Sequence, residues 1–152
     1  MRKSTSRKDT NDTNDHTNTD LNMNNTNNNL IYPDLSFQLV GLCMFVHNTY
    51  GQFCREKQYS QYLEQLLVDK KINYKKEVEI FDTKNRADFI IENKIVIELK
   101  SKKMMHSEDY NQIQRYLQAT QLKLGLLINF GGKDLFYKRI TLIETDARKR
   151  FQ

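Results

Sequence analysis

Apolar positions along the chain change their period several times, and each change marks an element. Leu35, Leu39, Leu42 and Val46 recur at helical spacing with Cys43 beside them, so a helix is predicted over residues 35–48. Pro33-Asp34 introduces it and Gly51 breaks it. Tyr59, Leu63, Leu66 and Leu67 form the inner face of a second helix over about residues 54–71. Tyr74 to Phe81, YKKEVEIF, alternates polar and apolar residues, which suits a strand with one face in water. Residues 87–92 and 95–101 are more uniformly apolar and read as central strands, with Asn93-Lys94 at the turn between them. Ser107 is expected to cap a third helix running to about Gln121, with Glu108 and Asp109 favourable in its first turn. Leu124 to Phe130, LGLLINF, reads as a strand apolar on both faces. Gly131-Gly132 then turns the chain into a last strand near residues 135–143.

The order α-α-β-β-β-α-β-β predicts an α/β (α+β) fold, a mixed central sheet flanked by helices. The strand, helix and strand over residues 95–130 imply a right-handed parallel crossover. The first thirty residues are a different material, rich in Asn, Thr and Asp, with Leu21 and Met23 the main large apolar side chains. They cannot bury enough apolar surface to offset their ordering entropy and are expected to form a disordered tail, residues 1–30. A domain over residues 31–146 and a basic C-terminal tail over residues 147–152 follow. The 152-residue chain carries a formal charge of +5. In the N-terminal tail Arg2, Lys3, Arg7 and Lys8 balance Asp9, Asp12, Asp15 and Asp20, so the excess sits on the domain and suits a polyanionic partner. Cys43 and Cys54 make neither a disulfide framework nor a zinc site. With no apolar signal-like segment and no run long enough to span a bilayer, a cytoplasmic location is expected and no membrane partner.

Candidate chemistry lies in Arg86 to Lys100, RADFIIENKIVIELK. Asp88 opens one apolar strand, and Glu98 and Lys100 close the next. Charged groups are rarely buried unless paired or holding a metal. Glu98 and Lys100 share one face of their strand. Asp88 reaches that face if the hairpin loop has three residues, Glu92 to Lys94, and points away if it has two. Two carboxylates and a lysine suit phosphodiester hydrolysis, because Mg²⁺ takes few protein ligands and keeps several waters. The metal polarises the phosphate, while the lysine orients the attacking water and stabilises developing charge. The structural alternative is a salt bridge at a strand end. Gln112 and Tyr116, four apart on the third helix, flank its apolar stripe. Glu56 begins the core-facing stripe of the second helix. It either adds an acid to the site or complements the helix dipole. His47 beside an apolar stripe reads more readily as a core-edge residue than as a ligand, and His106 as a loop residue.

Taken together, these residues resemble the GxxExxY proteins, a branch of the PD-(D/E)XK nuclease superfamily. The likeness runs from Tyr32-Pro33-Asp34 through Val46-His47-Asn48, Gly51 to Tyr59, Ala87-Asp88-Phe89, Ile97 to Lys100 and Tyr110 to Leu117, and ends in Leu122 to Phe130. It implies a restriction-endonuclease-like αβββαβ core. By the same resemblance Asp88, Glu98 and Glu56 would bind Mg²⁺ or Mn²⁺, and Lys100, Gln112 and Tyr116 would complete the catalytic set. Four residues rather than two separate Gly51 from Glu56, so an alternative pairing places Cys54 at the acidic position. Ala87 stands where the superfamily has proline. The function expected is a metal-dependent nuclease acting on nucleic acid, DNA in the first place. The alternative is a catalytically inactive nucleic-acid-binding or protein-interaction module on the same fold. A domain this small could pair as a homodimer to span a duplex.

Overall fold

The structure is a computed structural model and describes residues 30–81 and 84–144. Apart from residues 82–83, the expected domain is covered up to residue 144; the expected tails lie outside the described residues except for Leu30. The elements in chain order are α1 (Pro33–Tyr50), α2 (Glu56–Asp69), β1 (Tyr74–Glu79), β2 (Arg86–Ile91), β3 (Ile95–Lys100), α3 (Ser107–Thr120), β4 (Leu124–Asn129) and β5 (Phe136–Thr141). All eight expected elements are present, with ends shifted by at most two residues.

The five strands lie side by side in the order β1-β2-β3-β4-β5. β3 and β4 are parallel, joined by α3, and the other neighbours are antiparallel. The sheet is therefore mixed, and β3, which carries Glu98 and Lys100, is its central strand. Side-chain alternation sorts the core into two layers. Phe89, Ile91, Ile95, Ile97, Leu99, Leu126, Ile128 and Phe130 pack with Leu39, Cys43 and Val46 of α1 and Tyr59, Leu63 and Leu67 of α2. On the other face Ile90, Val96, Leu127 and Ile140 meet Ile113, Tyr116 and Leu117 of α3. Cys43 is wholly buried, and burial pushes its thiol up to about 12, so it behaves as a small hydrophobe.

Two local features bring α3 and α2 to the end of the sheet that carries Glu98 and Lys100. Gly125 of β4 pairs with Val96, and a Cβ there would lie 2.6 Å from Ile113 Cγ2. Its missing side chain lets α3 approach the sheet one residue from Gln112. Gly51 ends α1 with φ 75°, a conformation that side chains with a Cβ rarely adopt. Its carbonyl accepts a bond from the Tyr59 hydroxyl, which also takes the Cys54 N–H at 3.2 Å. Tyr59 in turn stacks on Phe130 with ring centroids 4.2 Å apart. The α1–α2 loop is thus folded onto the core, and Glu56 becomes the first residue of α2.

One expectation is corrected. Ser107 does not cap α3; the cap position is His106. The Asp109 carboxylate, in the first turn, reaches back to accept the His106 backbone N–H at 2.7 Å.

Candidate active site

The β2–β3 hairpin settles which face Asp88 takes. Phe89 pairs with Ile97, Ile90 with Val96 and Ile91 with Ile95, leaving Glu92, Asn93 and Lys94 as the loop. By alternation from Ile90 and Val96, which pack on α3, Asp88 and Glu98 fall on the α3 face of the sheet. Glu92 and Asn93 both have positive φ, and the Lys94 N–H bonds the Ile91 carbonyl at 2.8 Å. The Asp88 Oδ2 accepts the Leu99 backbone N–H at 2.6 Å.

Glu98 is 4% exposed. Its Oε1 accepts from Lys100 Nζ at 3.2 Å and from Gln112 Nε2 at 3.3 Å. Its Oε2 is buried and meets no hydrogen-bond donor among the described residues. Lys100 Nζ also donates to Gln112 Oε1 at 2.8 Å and lies 4.0 Å from the Asp109 carboxylate. The Gln112 amide completes the ring by donating to the Tyr116 hydroxyl at 2.6 Å, and that hydroxyl donates to the Arg86 carbonyl at 3.2 Å. Glu98, Lys100, Gln112 and Tyr116, separated in the sequence, therefore form one hydrogen-bonded network between β3 and α3, and Asp88 acts on it through its charge.

The electrostatics of this network are unbalanced. Burial pushes Asp88 up to about 6, with the charge of Glu56 adding to the shift and the Leu99 N–H and Lys100 working against it. Burial also pushes Glu98 up to about 8, reinforced by the charge of Asp88 and opposed by Lys100. The two acids titrate as a pair, and one lysine does not neutralise them. Burial raises the Tyr116 hydroxyl to about 12, so it acts as a hydrogen-bond donor rather than a base.

This donor set fits a hard divalent cation. Two carboxylates stand together in excess of their cationic partner, and one buried carboxylate oxygen is left without a donor. Among the described residues no group of three or more His, Cys, Asp or Glu side chains is gathered closely enough to hold a metal. Glu56 is exposed at the start of α2, and it is linked to Asp88 by its field rather than by contact. It lines a cleft of about 680 Å³ with Arg55, Ser101 and Lys102. Cys54, the alternative at this position, is half-buried, and its carbonyl accepts the Ser101 hydroxyl at 2.8 Å. His47 lies outside the network: it is buried and its Nε2 bonds the Gly132 carbonyl at 3.0 Å, as expected of a core-edge residue.

Three supporting side chains escaped the sequence reading. Glu77 of β1 is exposed and adds its negative field to Asp88. In the sequence Asp109 reads only as a helix-dipole residue. It is buried and, although burial works the other way, Lys102 at 2.7 Å and the His106 N–H hold its carboxyl below the usual range. Asn129, also buried, accepts the backbone N–H groups of Lys102 and Gly131 at 3.1 Å each and donates to the Lys102 carbonyl at 2.8 Å. It clamps the chain leaving β3 to the end of β4. Its polarity at the end of the otherwise apolar LGLLINF was the available signal.

Residues 33–140 match the model of the PD-(D/E)XK nuclease superfamily. The chain belongs to this superfamily. The mixed sheet flanked by helices agrees with its restriction-endonuclease-like fold. Among solved structures, the chain is similar to the crystal structure of SSO0001, with a TM-score of 0.47 and 24% identity. The similarity covers 60% of this chain and 52% of that one, so this superfamily member spans about half the length of SSO0001. It is also similar to an alkaline exonuclease, LHK-Exo, from Laribacter hongkongensis. That match has a TM-score of 0.39 and 11% identity, over 76% of this chain and 72% of that one. The complex of LHK-Exo with dAMP gives a TM-score of 0.40 and 12% identity. No curated protein matches the chain.

Proposed function

We propose that the chain is a divalent-metal-dependent nuclease that hydrolyses phosphodiester bonds of DNA. The observation that carries this reading is Glu98: a carboxylate buried on a central strand, opposite a second acid, with one oxygen shared by Lys100 and Gln112 and the other without a donor. Such an arrangement is costly for folding unless a cation completes it. Within the superfamily we assign the chain to the GxxExxY branch, supported by the bond between Gly51 and Tyr59 and by Glu56 at the start of α2.

In this reading Asp88 and Glu98 hold Mg²⁺ or Mn²⁺, and Glu56 adds negative charge at the cleft. When bound, the ion supplies Lewis-acid polarisation of the phosphate and eases deprotonation of water. Lys100 is fixed between Glu98 and Gln112, so its ammonium group is aimed before substrate arrives. From there it orients the attacking water by hydrogen bonding and stabilises negative charge developing on the phosphate oxygens. Gln112 does not react; it holds Lys100 through its carbonyl and Glu98 through its amide. Tyr116 fixes Gln112 and ties α3 to β2 through the Arg86 carbonyl.

The test is a cleavage assay on single-stranded, double-stranded and branched DNA and on RNA, with Mg²⁺, Mn²⁺ or EDTA. Metal-dependent cleavage of DNA that disappears in Glu98→Ala protein is expected. Folded protein that cuts none of these substrates and gains no thermal stability from either metal would overturn the reading. It would leave a non-catalytic binding module.

A further inference from the structure

Beside the proposed active site the α1–α2 loop and the β3–α3 loop form the cleft of about 680 Å³. Arg55, Lys102, Lys103 and Lys133 line it, against the single carboxylate of Glu56. On its wall Phe53 is 90% exposed, the most exposed large apolar side chain among the described residues. An exposed aromatic ring set among cations is what a single nucleic-acid strand requires. Bases stack on the ring whatever their identity, and the lysines and arginine track the phosphates. A duplex offers no free base face to such a ring. The cleft adjoins the proposed catalytic network, since Ser101 follows Lys100 directly and Lys102 bonds Asp109, whose carboxylate lies 4.0 Å from Lys100. The backbone beside the ring is pinned to the core. The neighbouring Cys54 donates its N–H to the buried Tyr59 hydroxyl and accepts the Ser101 hydroxyl.

We infer that this cleft seats an unpaired DNA strand leading to the scissile phosphate, with one base stacked on Phe53 and the backbone held by Arg55, Lys102, Lys103 and Lys133. This names the substrate class of the site and rests on the nuclease reading above. Phe53 contributes to strand binding and takes no part in bond cleavage.

The experiment measures binding of a fluorescent oligothymidylate and of a blunt hairpin duplex by anisotropy, in EDTA so that nothing is cut. Wild-type, Phe53→Ala and Phe37→Ala proteins are compared. Phe37 is the control, since it is 84% exposed on α1 and lies about 20 Å along the helix from the cleft end. The expected result is tighter binding of the single strand than of the duplex. Phe53→Ala should lose about tenfold to a hundredfold in single-strand affinity with little change on the duplex, and Phe37→Ala should bind as wild type. Replacing Lys103 and Lys133 by glutamine should make the salt dependence of single-strand binding shallower by about 1.4 in the log–log slope. Equal losses in the two phenylalanine variants, or a preference for duplex, would overturn the inference. Phe53-dependent single-strand binding by a protein that never cleaves would sustain it and instead sink the catalytic reading.

Discussion

Replacing Glu98 by glutamine should make the metal-free protein more stable above neutral pH, although it removes a proposed metal ligand. Glu98 is pushed from the ordinary 4.5 up to about 8, chiefly by burial and then by Asp88. The folded protein thus holds this proton more tightly than the unfolded chain. The stability it contributes is complete below about pH 4.5 and is lost as pH rises through about 8. Taken at face value that shift is at most about 5 kcal/mol. The amide opposes part of the gain, because Lys100 loses a carboxylate partner, a cost of about 1–3 kcal/mol. Lys100 keeps Gln112 Oε1 at 2.8 Å and the Asp109 carboxylate at 4.0 Å, so the cost stays within that range. The net expectation is about 2 kcal/mol in favour of Glu98→Gln at about pH 8.5, or about 5–10 °C in Tm. Near pH 5 the two proteins should differ far less. Magnesium should reverse the order. With free Mg²⁺ at about a hundred times its Kd, wild type gains about 2.7 kcal/mol and the variant almost nothing. Denaturant titrations at the two pH values, with EDTA or Mg²⁺, give all four numbers. A variant less stable than wild type at pH 8.5 in EDTA would refute the idea that Glu98 is an uncompensated charge. Equal stabilisation of both proteins by Mg²⁺ would refute its role as a ligand.

Three further outcomes follow from the geometry. Lys100→Ala and Asp88→Ala should each lower cleavage by about 10² or more while far-ultraviolet circular dichroism stays native, and retained cleavage in either would remove that residue from the mechanism. Gly125→Ala places a methyl 2.6 Å from Ile113 Cγ2 and should lift α3 off the sheet. About 1–3 kcal/mol lower stability and a fall in kcat are expected, and an unchanged kcat would show that Gln112 tolerates the displacement. Tyr59→Phe removes the bonds to Gly51 and Cys54 and should cost about 1 kcal/mol by denaturant titration, with weaker single-strand binding because the Phe53 loop loosens.

The residues of the network were legible in the sequence because their chemistry contradicts their surroundings: Asp88, Glu98 and Lys100 are charged positions in strands otherwise made of Phe, Ile, Val and Leu. The helices and the parallel crossover were legible from period alone. The face taken by Asp88 was not. Its decision lies in a three-residue loop whose first residue, Glu92, is anchored far away, accepting the Asn73 N–H at 3.0 Å and donating its own N–H to the Asn73 carbonyl at 2.9 Å. No local pattern in ENK reveals a partner nineteen positions upstream. Asp109 and Asn129 were missed for a related reason. Each looks like ordinary helix-start or strand-end polarity, and its value comes from backbone groups that only the folded chain brings to it. Phe53 was hidden because exposure is not a property of a sequence.

The odd length of the β2–β3 loop also limits how this chain can change by insertion or deletion. Gaining or losing one residue between Ile91 and Ile95 would exchange the two faces of β2 relative to β3, turning Asp88 away from Glu98 and the buried Phe89 and Ile91 toward α3. A change of two would restore every side chain to its own face. In a library that lengthens this loop by one to four residues, cleavage should therefore return only at the even steps. A missense change elsewhere in the domain can weaken the site by degrees; a single-codon indel here works as a switch with no middle position.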